Sequence, residues 1–458
     1  MCCQRGKHLK IKLIAPHEER EGLISSPFKL QRVNLPLLAA LTPPGHTVTL
    51  VEEAFAPDDV DQDVDLVGIT VMTEFALRAY RIGDAYRQKG VKVVMGGIHP
   101  TVLPEEALEH ADAVVMGEAE GVWPQLLADA AAGRMQSIYR AGSASDVKSL
   151  PQPRRDLFPT ANVKSYAPIP VGVETSRGCP NDCEFCCIGQ TLGQHYRVRP
   201  VQEVIAEIEA IDSPHLFFVD DALGLNRPAA KKLFAEMIPL KRQWLAQGTV
   251  SLAEDVELLD LMKRAGCLGL LVGFESVQSD TQHEVSKIHN LKIDFYEAMH
   301  RFHAEGFGIL GCFVFGFDHE NKDVFDQTFE FIMKSRIDCV QFRILTPYPG
   351  TRLYQRLLSE DRLFVKEWWL RGYPPDSLLF QPKGMTADEL IDGYARLNRQ
   401  VYTFGAMTKR FFGMSPWKRT LFGCQLYAGL NLSTRSRYLK GLTIPQPFAE
   451  ACASIEKR

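Results

Sequence analysis

Short apolar runs alternate with longer amphipathic stretches through the first third of the chain. The continuous apolar run from Leu66 to Met72 is typical of a strand that is buried on both faces. Further strand candidates span residues 8–15, 47–51, 91–95 and 113–116, and helical patterns cover residues 75–88 and 121–132. Strands that alternate with helices predict an α/β fold with a parallel, doubly wound sheet.

The same alternation returns on a longer period between residues 171 and 350. Helical patterns cover residues 201–211 and 229–244. The strand candidates span residues 171–173, 216–219, 248–252, 270–274, 309–315 and 340–345. Six such units predict a partial, open (βα)6 barrel, with its active site at the carboxyl ends of the strands.

Changes in composition divide the chain into four parts. We predict a doubly wound, Rossmann-like domain at residues 1–145 and a linker at 146–170, where prolines hold an extended path. The barrel follows at 171–350, and a mainly helical region occupies 351–458. In that last region Thr386 and Glu389 have the spacing of a capping box, which predicts a helix over residues 386–403.

Composition limits the classes of function. The 458 residues are 45% hydrophobic, as in an ordinary soluble protein, and a net charge of −4 gives no general attraction for nucleic acid. Eleven cysteines, an odd number, without a secretory leader pattern indicate reduced thiols in a cytoplasmic protein. No apolar run reaches about 18 residues, so we expect no transmembrane segment.

Three cysteines, Cys179, Cys183 and Cys186, form the pattern C-x3-C-x2-C on a predicted strand-to-helix loop. Thiolates are soft ligands that suit iron–sulfur clusters and zinc. Zinc normally fills four positions, and the adjacent Cys187 points away from Cys186. The pattern therefore predicts a [4Fe-4S] cluster with one open iron, and a structural zinc site is the alternative.

This spacing, with Phe185 just before the last cysteine, resembles the signature of the radical SAM superfamily. The resemblance implies that Cys179, Cys183 and Cys186 hold the cluster and that S-adenosylmethionine occupies the fourth iron. It also implies contacts to S-adenosylmethionine at the strand ends, from Asp220, Asp221, Ser251, Glu275 and Ser276. Arg177 and Arg199 flank the loop, and each either pairs with the cofactor carboxylate or lies in solvent.

Glycines and small polar residues collect at the carboxyl ends of the N-terminal strands, where doubly wound sheets bind ligands. Residues 96–101 and 117–120 resemble the cobalamin-binding domain of B12-dependent radical SAM proteins. The family's Asp-x-His-x-x-Gly motif is absent, and we expect His17, after the first strand, to be an ordinary loop histidine. A sheet without cobalamin is the alternative. The resemblance implies cobalamin contacts from Thr70, Thr73, Gly96, Gly97, His99, Gly117 and Glu118.

Along nearly its full length the chain resembles the methylases of this branch, which include hopanoid and bacteriochlorophyll methylases. The resemblance implies reductive cleavage of S-adenosylmethionine to a 5′-deoxyadenosyl radical and cobalamin-dependent methylation of an unactivated carbon. It further implies a small-molecule or lipid-like substrate and a reductant such as flavodoxin or ferredoxin. Two alternatives remain: a radical SAM enzyme with non-methylating chemistry, and a non-catalytic iron–sulfur or zinc protein.

Residues 409–440 contain seven lysines or arginines and no acid, with aromatic residues between them. This composition fits either a membrane-surface patch or a basic helical tail that packs on the barrel. We expect the tail to pack on the barrel. We also expect Trp368 and Trp369 to be packing residues.

Overall fold

The computed structural model describes residues 7–17, 29–60, 63–142, 145–158, 169–278, 280–281, 293–374, 377–413 and 421–439. The N-terminal part contains strands β1 (Lys10–Ala15), β2 (Thr47–Glu52), β3 (Leu66–Thr70), β4 (Lys92–Gly96), β5 (Ala113–Met116) and β6 (Ile138–Arg140). They form one parallel sheet in the order β2-β1-β3-β4-β5-β6. The strand order reverses between β1 and β3, so the carboxyl ends of these two strands mark the crevice where such sheets bind ligands.

Helices pack on both faces of this sheet and bury its apolar strands. They are α1 (Asn34–Leu41), α2 (Ala76–Gln88), α3 (Ile98–Val102), α4 (Pro104–Glu109) and α5 (Trp123–Ala131). The predicted doubly wound fold is confirmed. Sequence analysis missed β6 and α1, because a strand of three residues and a short, uniformly apolar helix show no period.

The central part is an open barrel of six parallel strands. They are β7 (Val171–Val173), β10 (His215–Phe218), β11 (Gln243–Gly248), β12 (Cys267–Glu275), β13 (Gly308–Phe315) and β14 (Cys339–Ile344), in the order β14-β13-β12-β11-β10-β7. Between β7 and β10 lies an antiparallel hairpin of β8 (Ser176–Arg177) and β9 (Arg197–Val198). Alternate residues along β12, β13 and β14 are buried under the outer helices, and the residues between them face the half-open lumen.

The helices around the barrel follow the predicted alternation. They are α6 (Ile188–Thr191), α7 (Val201–Ala210), α8 (Arg227–Met237), α9 (Val256–Arg264), α10 (Phe295–Glu305) and α11 (Val324–Ser335). The predicted helix at 229–244 was right in its first part but too long, and the strand predicted at 248–252 was wrong, because α8 ends at Met237 and β11 spans Gln243–Gly248. Lys241 adopts a left-handed conformation with φ of 50°, which separates the two elements.

The C-terminal part is mainly helical, with α12 (Arg352–Ser359), α13 (Ala387–Val401), α14 (Phe404–Phe411) and α15 (Leu421–Leu439). The predicted capping box of Thr386 and Glu389 is confirmed at the start of α13. None of the described helices is long and apolar enough to cross a membrane.

Part of the basic tail packs on the barrel. Arg410 is fully buried, and its guanidinium donates to the carbonyl oxygens of Ile337 and Asp338 at 3.2 and 3.0 Å. Lys418, Arg419 and Lys440 of the same basic stretch lie outside the described residues.

The segment after α12 packs across the N-terminal domain. Trp368 and Trp369 belong to one buried cluster with Tyr80 and Val93 of that domain. The Trp369 indole N–H donates to Glu106 at 3.1 Å, and its ring packs edge-on against His99. This segment therefore fastens the doubly wound sheet to the barrel, as expected for packing aromatics.

We predict that Trp369→Ala lowers the free energy of unfolding by about 3 kcal/mol or more, because it removes a buried ring at the domain junction and one of the hydrogen bonds that Glu106 accepts. Thermal unfolding followed by circular dichroism would measure the loss. Phe412→Ala is the matched control, since that ring is 72% exposed, and its effect should stay within about 0.5 kcal/mol. Equal effects of the two substitutions would contradict the role given to Trp369.

A candidate cluster site at the junction of three domains

The three motif cysteines lie on a loop that the β8–β9 hairpin closes. In this hairpin Ser176 pairs with Val198 and Arg177 with Arg197, so both ends of the loop emerge side by side. Gly178 begins the loop with φ of 79°, and an added Cβ would lie 2.5 Å from the His195 carbonyl oxygen. Glycine is therefore required immediately before the first cysteine.

Ion pairs from the N-terminal domain hold this hairpin. The Arg197 guanidinium donates to both carboxylate oxygens of Glu118, at 2.9 and 2.5 Å. Arg177 pairs with Glu120 at 2.5 Å and with Glu174 at 2.9 Å, and its Nη1 lies 3.6 Å from Glu118. The pKa of Glu118 is lowered, because the hydrogen bond from Arg197 and the charge of Arg177 outweigh its burial. The loop after β5 is thus bonded directly to the cysteine loop.

The C-terminal part holds the same loop from its other side. Arg356 of α12 donates to both oxygens of Glu184, at 2.7 and 3.0 Å, and Arg352 pairs with Asp182 at 3.0 Å. In the sequence, Asp182 lies between the first and second cysteines of the motif, and Glu184 lies between the second and third. Sequence analysis missed both pairs, because their partners lie about 170 positions away and a single sequence carries no signal for such pairing.

All three motif cysteines are half-buried, which suits ligands of a cluster that stays open to a cofactor. Burial raises the pKa of the Cys186 thiol, and Cys179, Asp221 and Glu275 raise it further. A positively charged iron centre would reverse this effect, since thiols bind metal as thiolates. No three His, Cys, Asp or Glu side chains within the described ranges meet closely enough to hold a single metal ion. A cubane cluster has no such requirement, because each thiolate binds its own iron.

Asp220, at the end of β10, is bonded to the start of the cysteine loop. Its carboxylate accepts hydrogen bonds from the backbone and hydroxyl of Thr175, at 3.1 and 2.6 Å, and from the hydroxyl of Ser176. Burial nevertheless raises its pKa to about 7. The contact with S-adenosylmethionine stays a prediction, while the described bonds make Asp220 an anchor of the loop.

Asp221 and Glu275 lie beside the cysteines. Burial and the charge of Glu174 raise the pKa of Asp221 to about 6, and Asp221 and Glu275 both interact with the Cys186 thiol. Glu275 has φ of 61° at a bulge that ends β12, a strained conformation for a residue other than glycine. The structure thus brings two predicted contacts to S-adenosylmethionine to the predicted cluster ligands.

The two predicted serines are engaged elsewhere. Ser276 is buried and donates to Glu320 at 2.7 Å, while Glu320 also accepts from the backbone of Gly316 at 2.9 Å. Ser251 lies 2.8 Å from the hydroxyl of Thr249 and 3.3 Å from Arg227. Their contacts with the cofactor remain predictions. Ser276 is placed to join the ends of β12 and β13.

The predicted cobalamin contacts all lie at or just after the carboxyl ends of β3, β4 and β5, at one edge of the sheet. Thr70, Gly96 and Gly117 are half-buried there. Gly97 packs so closely that an added Cβ would lie 3.0 Å from the Val71 backbone. This edge faces the barrel, since α3 contacts α6 just after the cysteine loop. A ligand at the edge would therefore face the cysteine loop.

His99 and Thr73 are turned into the domain. His99 is fully buried, and its ring nitrogens lie 3.3 Å from the Thr73 hydroxyl, 2.9 Å from the Tyr80 hydroxyl and 3.0 Å from Glu106. These bonds suit a structural histidine, and the cobalamin contacts of both residues remain predictions. Cobalamin fits this edge without a cobalt ligand from His99.

The side chain of Arg199 also has buried hydrogen-bond partners within the protein. Its guanidinium pairs with Glu207 at 2.7 Å and donates to the Glu174 carbonyl oxygen at 2.7 Å, and it is buried. Arg177, described above, makes three carboxylate contacts. Neither arginine lies in solvent, and both support the hairpin.

Comparison with known proteins gives the family. A model of the radical SAM superfamily matches residues 173–332, one of the B12 binding domain matches 23–127, and one of a domain of unknown function matches 351–418. The chain is 29% identical to the bacteriochlorophyllide d C-12(1)-methyltransferase of Chlorobaculum tepidum, over 90% of this chain and 91% of that protein. It is 32% identical to the bacteriochlorophyllide d C-8(2)-methyltransferase of that organism, over 73% and 77%.

A solved structure has the same fold. The radical S-adenosylmethionine methyltransferase TsrM from Kitasatospora setae superposes with a TM-score of 0.67 over 94% of this chain and 99% of that chain, at 16% identity. The chain belongs to the radical SAM proteins that carry a B12-binding domain. It is a cobalamin-dependent C-methyltransferase, with a [4Fe-4S] cluster, S-adenosylmethionine and cobalamin as cofactors.

We predict that Cys183→Ala abolishes the cluster, whereas Cys187→Ala retains it. Cys183 is one of three predicted ligands, and Cys187 lies at the start of α6, with its carbonyl oxygen accepting from Thr191 at 3.2 Å. Iron and sulfide analysis with electron paramagnetic resonance after anaerobic reconstitution would separate the two variants. A full cluster signal from Cys183→Ala would contradict the assignment.

We predict that Asp221→Asn stabilises the cofactor-free protein at pH 8 and has little effect at pH 4. A carboxyl whose folded pKa is about 6 and whose unfolded pKa is about 3.9 holds more protons when folded. Stability therefore falls as pH rises between these values, and the ionised form carries the penalty above them. Urea titrations at pH 8 and pH 4 would measure the change in the free energy of unfolding that the substitution causes. An equal effect at both would show that Asp221 does not titrate in this way.

Proposed function

We propose that this enzyme methylates an unactivated peripheral carbon of a chlorin-type tetrapyrrole in the cytoplasm. The observation that supports the reaction is structural: the cysteine loop and the predicted cobalamin edge are bonded together through Glu118. The similarity to two bacteriochlorophyllide d methyltransferases, over 90% and 73% of the chain, supports the substrate class.

The cofactors supply the radical and the methyl group, and the residues of the chain position the reactants. Cys179, Cys183 and Cys186 would hold the cluster at the mouth of the barrel. Asp221 and Glu275 place negative charge beside it, which favours the positively charged sulfonium and ammonium groups of S-adenosylmethionine.

The reductant is a further part of this proposal. The cluster must accept an electron for each cleavage, and a flavodoxin or ferredoxin is the chemical class of protein that supplies it. Comparison of reduced flavodoxin with a chemical reductant in the same assay would test this part.

We expect the reconstituted enzyme to form 5′-deoxyadenosine and to transfer a deuterated methyl group from labelled S-adenosylmethionine to bacteriochlorophyllide d. Anaerobic incubation followed by mass spectrometry would detect both products. Cys183→Ala should form neither, because it lacks a predicted cluster ligand.

Two results would contradict the proposal in different ways. Formation of 5′-deoxyadenosine without methyl transfer to any tetrapyrrole would contradict the substrate class. Protein that retains no corrin after reconstitution with cobalamin would contradict the role given to the N-terminal domain.

A further inference from the structure

Helices α14 and α15 pack on each other and on the amino end of the barrel. The Tyr427 hydroxyl of α15 donates to the Met407 carbonyl oxygen of α14 at 2.6 Å. Buried Arg410 of α14 donates to the carbonyl oxygens of Ile337 and Asp338, which directly precede β14. The helix pair therefore lies at the opposite end of the barrel strands from the cysteine loop, which follows the carboxyl end of β7.

The outer face of this helix pair exposes large apolar side chains. Phe404, Phe412 and Leu432 are 64%, 72% and 46% exposed. They are half of the six large hydrophobic side chains that are exposed in the described part of the chain, and the other three lie on other elements. Phe404, Thr408 and Phe412 follow at intervals of four residues, which places them on one side of α14. Single exposed apolar residues are common, whereas a group of them indicates a contact surface.

Cations accompany the exposed rings. The Arg435 guanidinium of α15 lies 4.5 Å from the centre of the Phe404 ring. Arg336 donates to the carbonyl oxygen of Phe412 at 3.0 Å, and Lys409 is exposed on α14 between the two rings in sequence. The outer face thus combines three apolar side chains with three cations.

Acids do not balance this charge on the helix pair itself. No aspartate or glutamate occurs from residue 393 to residue 449. The adjoining helix α11 carries two acids, Asp326 and Glu330, and these already pair with Arg396 and Lys334. The outer face is therefore apolar and positively charged at once.

We propose that the outer face of α14 and α15 docks the enzyme on an anionic lipid surface. Phenylalanine and leucine side chains enter the boundary between headgroups and acyl chains, while lysine and arginine remain at the level of the lipid phosphates. This inference goes beyond the proposed function, because it concerns where the enzyme is held and not what it methylates. Docking through the amino end of the barrel would keep the cysteine loop accessible to S-adenosylmethionine and the reductant.

Cosedimentation of the anaerobically reconstituted holoenzyme with vesicles tests the proposal. We expect binding to vesicles of equal parts phosphatidylglycerol and phosphatidylcholine to be about tenfold or more stronger than binding to pure phosphatidylcholine, and to weaken as salt is added. The double substitution Phe404→Ser with Phe412→Ser should weaken binding about tenfold or more, because it removes both rings. Lys409→Gln should weaken it about fivefold, as expected for one cation near a lipid surface.

Two matched controls remove the same kinds of side chain elsewhere. Val256→Ser removes an apolar side chain of α9 that is 59% exposed, and Lys232→Gln removes a cation of α8 whose side chain is 57% exposed. Both variants should bind anionic vesicles as the wild type does. Circular dichroism and cluster spectra would confirm that every variant is folded.

Several results would overturn the docking surface. They are wild-type binding to neither vesicle, equal binding to both, and unchanged binding by the variant that lacks both rings. A wild-type dimer that ignores vesicles and becomes a monomer in that variant, as seen by analytical ultracentrifugation, would assign the outer face to a second copy of the chain. Since none of these measurements involves methyl transfer, failure of lipid binding would leave the proposed substrate class standing.

Discussion

The cysteine loop is held by ion pairs from both sides, and the rest of the site depends on them. Glu118 of the N-terminal domain and Arg177 of the hairpin have side chains only 4% and 7% exposed. Removing one partner of such a pair leaves an uncompensated buried charge, which typically costs about 3–5 kcal/mol. From the C-terminal side Arg356 makes a more exposed pair with Glu184, with side chains 26% and 14% exposed. Three regions that are distant in sequence thus meet at one loop.

This constraint explains how two cofactor domains can serve one reaction. Radical transfer and methyl transfer require the reacting atoms within about 3–3.5 Å of one another, so the cluster and the cobalamin edge must keep a fixed relation. The bonds to Glu118 set that relation at the loop, and the packing of Trp369 on His99 provides a second contact between the domains. The junction is therefore preorganised.

Sequence patterns predicted the elements that are long and apolar, and missed those whose order depends on distant partners. The run from Leu66 to Met72 shows a buried strand by itself, whereas β11 alternates weakly and follows a helix of similar composition. The motif identified the cysteines as candidate ligands because three thiolates within eight residues have few other uses. Glu118 shows the limit, since its hydrogen-bond partners are Arg197 and Ser145, far along the chain.

Two locally destabilising features, a buried carboxyl group and a strained backbone conformation, indicate the site independently of the cysteine motif. Asp220 is buried although its pKa rises to about 7, and Glu275 adopts a left-handed conformation at the end of a strand. Each feature costs stability, and proteins keep such costs where function requires them. Both lie at the carboxyl ends of barrel strands, beside the cysteine loop. The acids at this mouth, unfavourable among themselves, would become favourable with a cationic ligand between them, so their strain contributes to the specificity of the site.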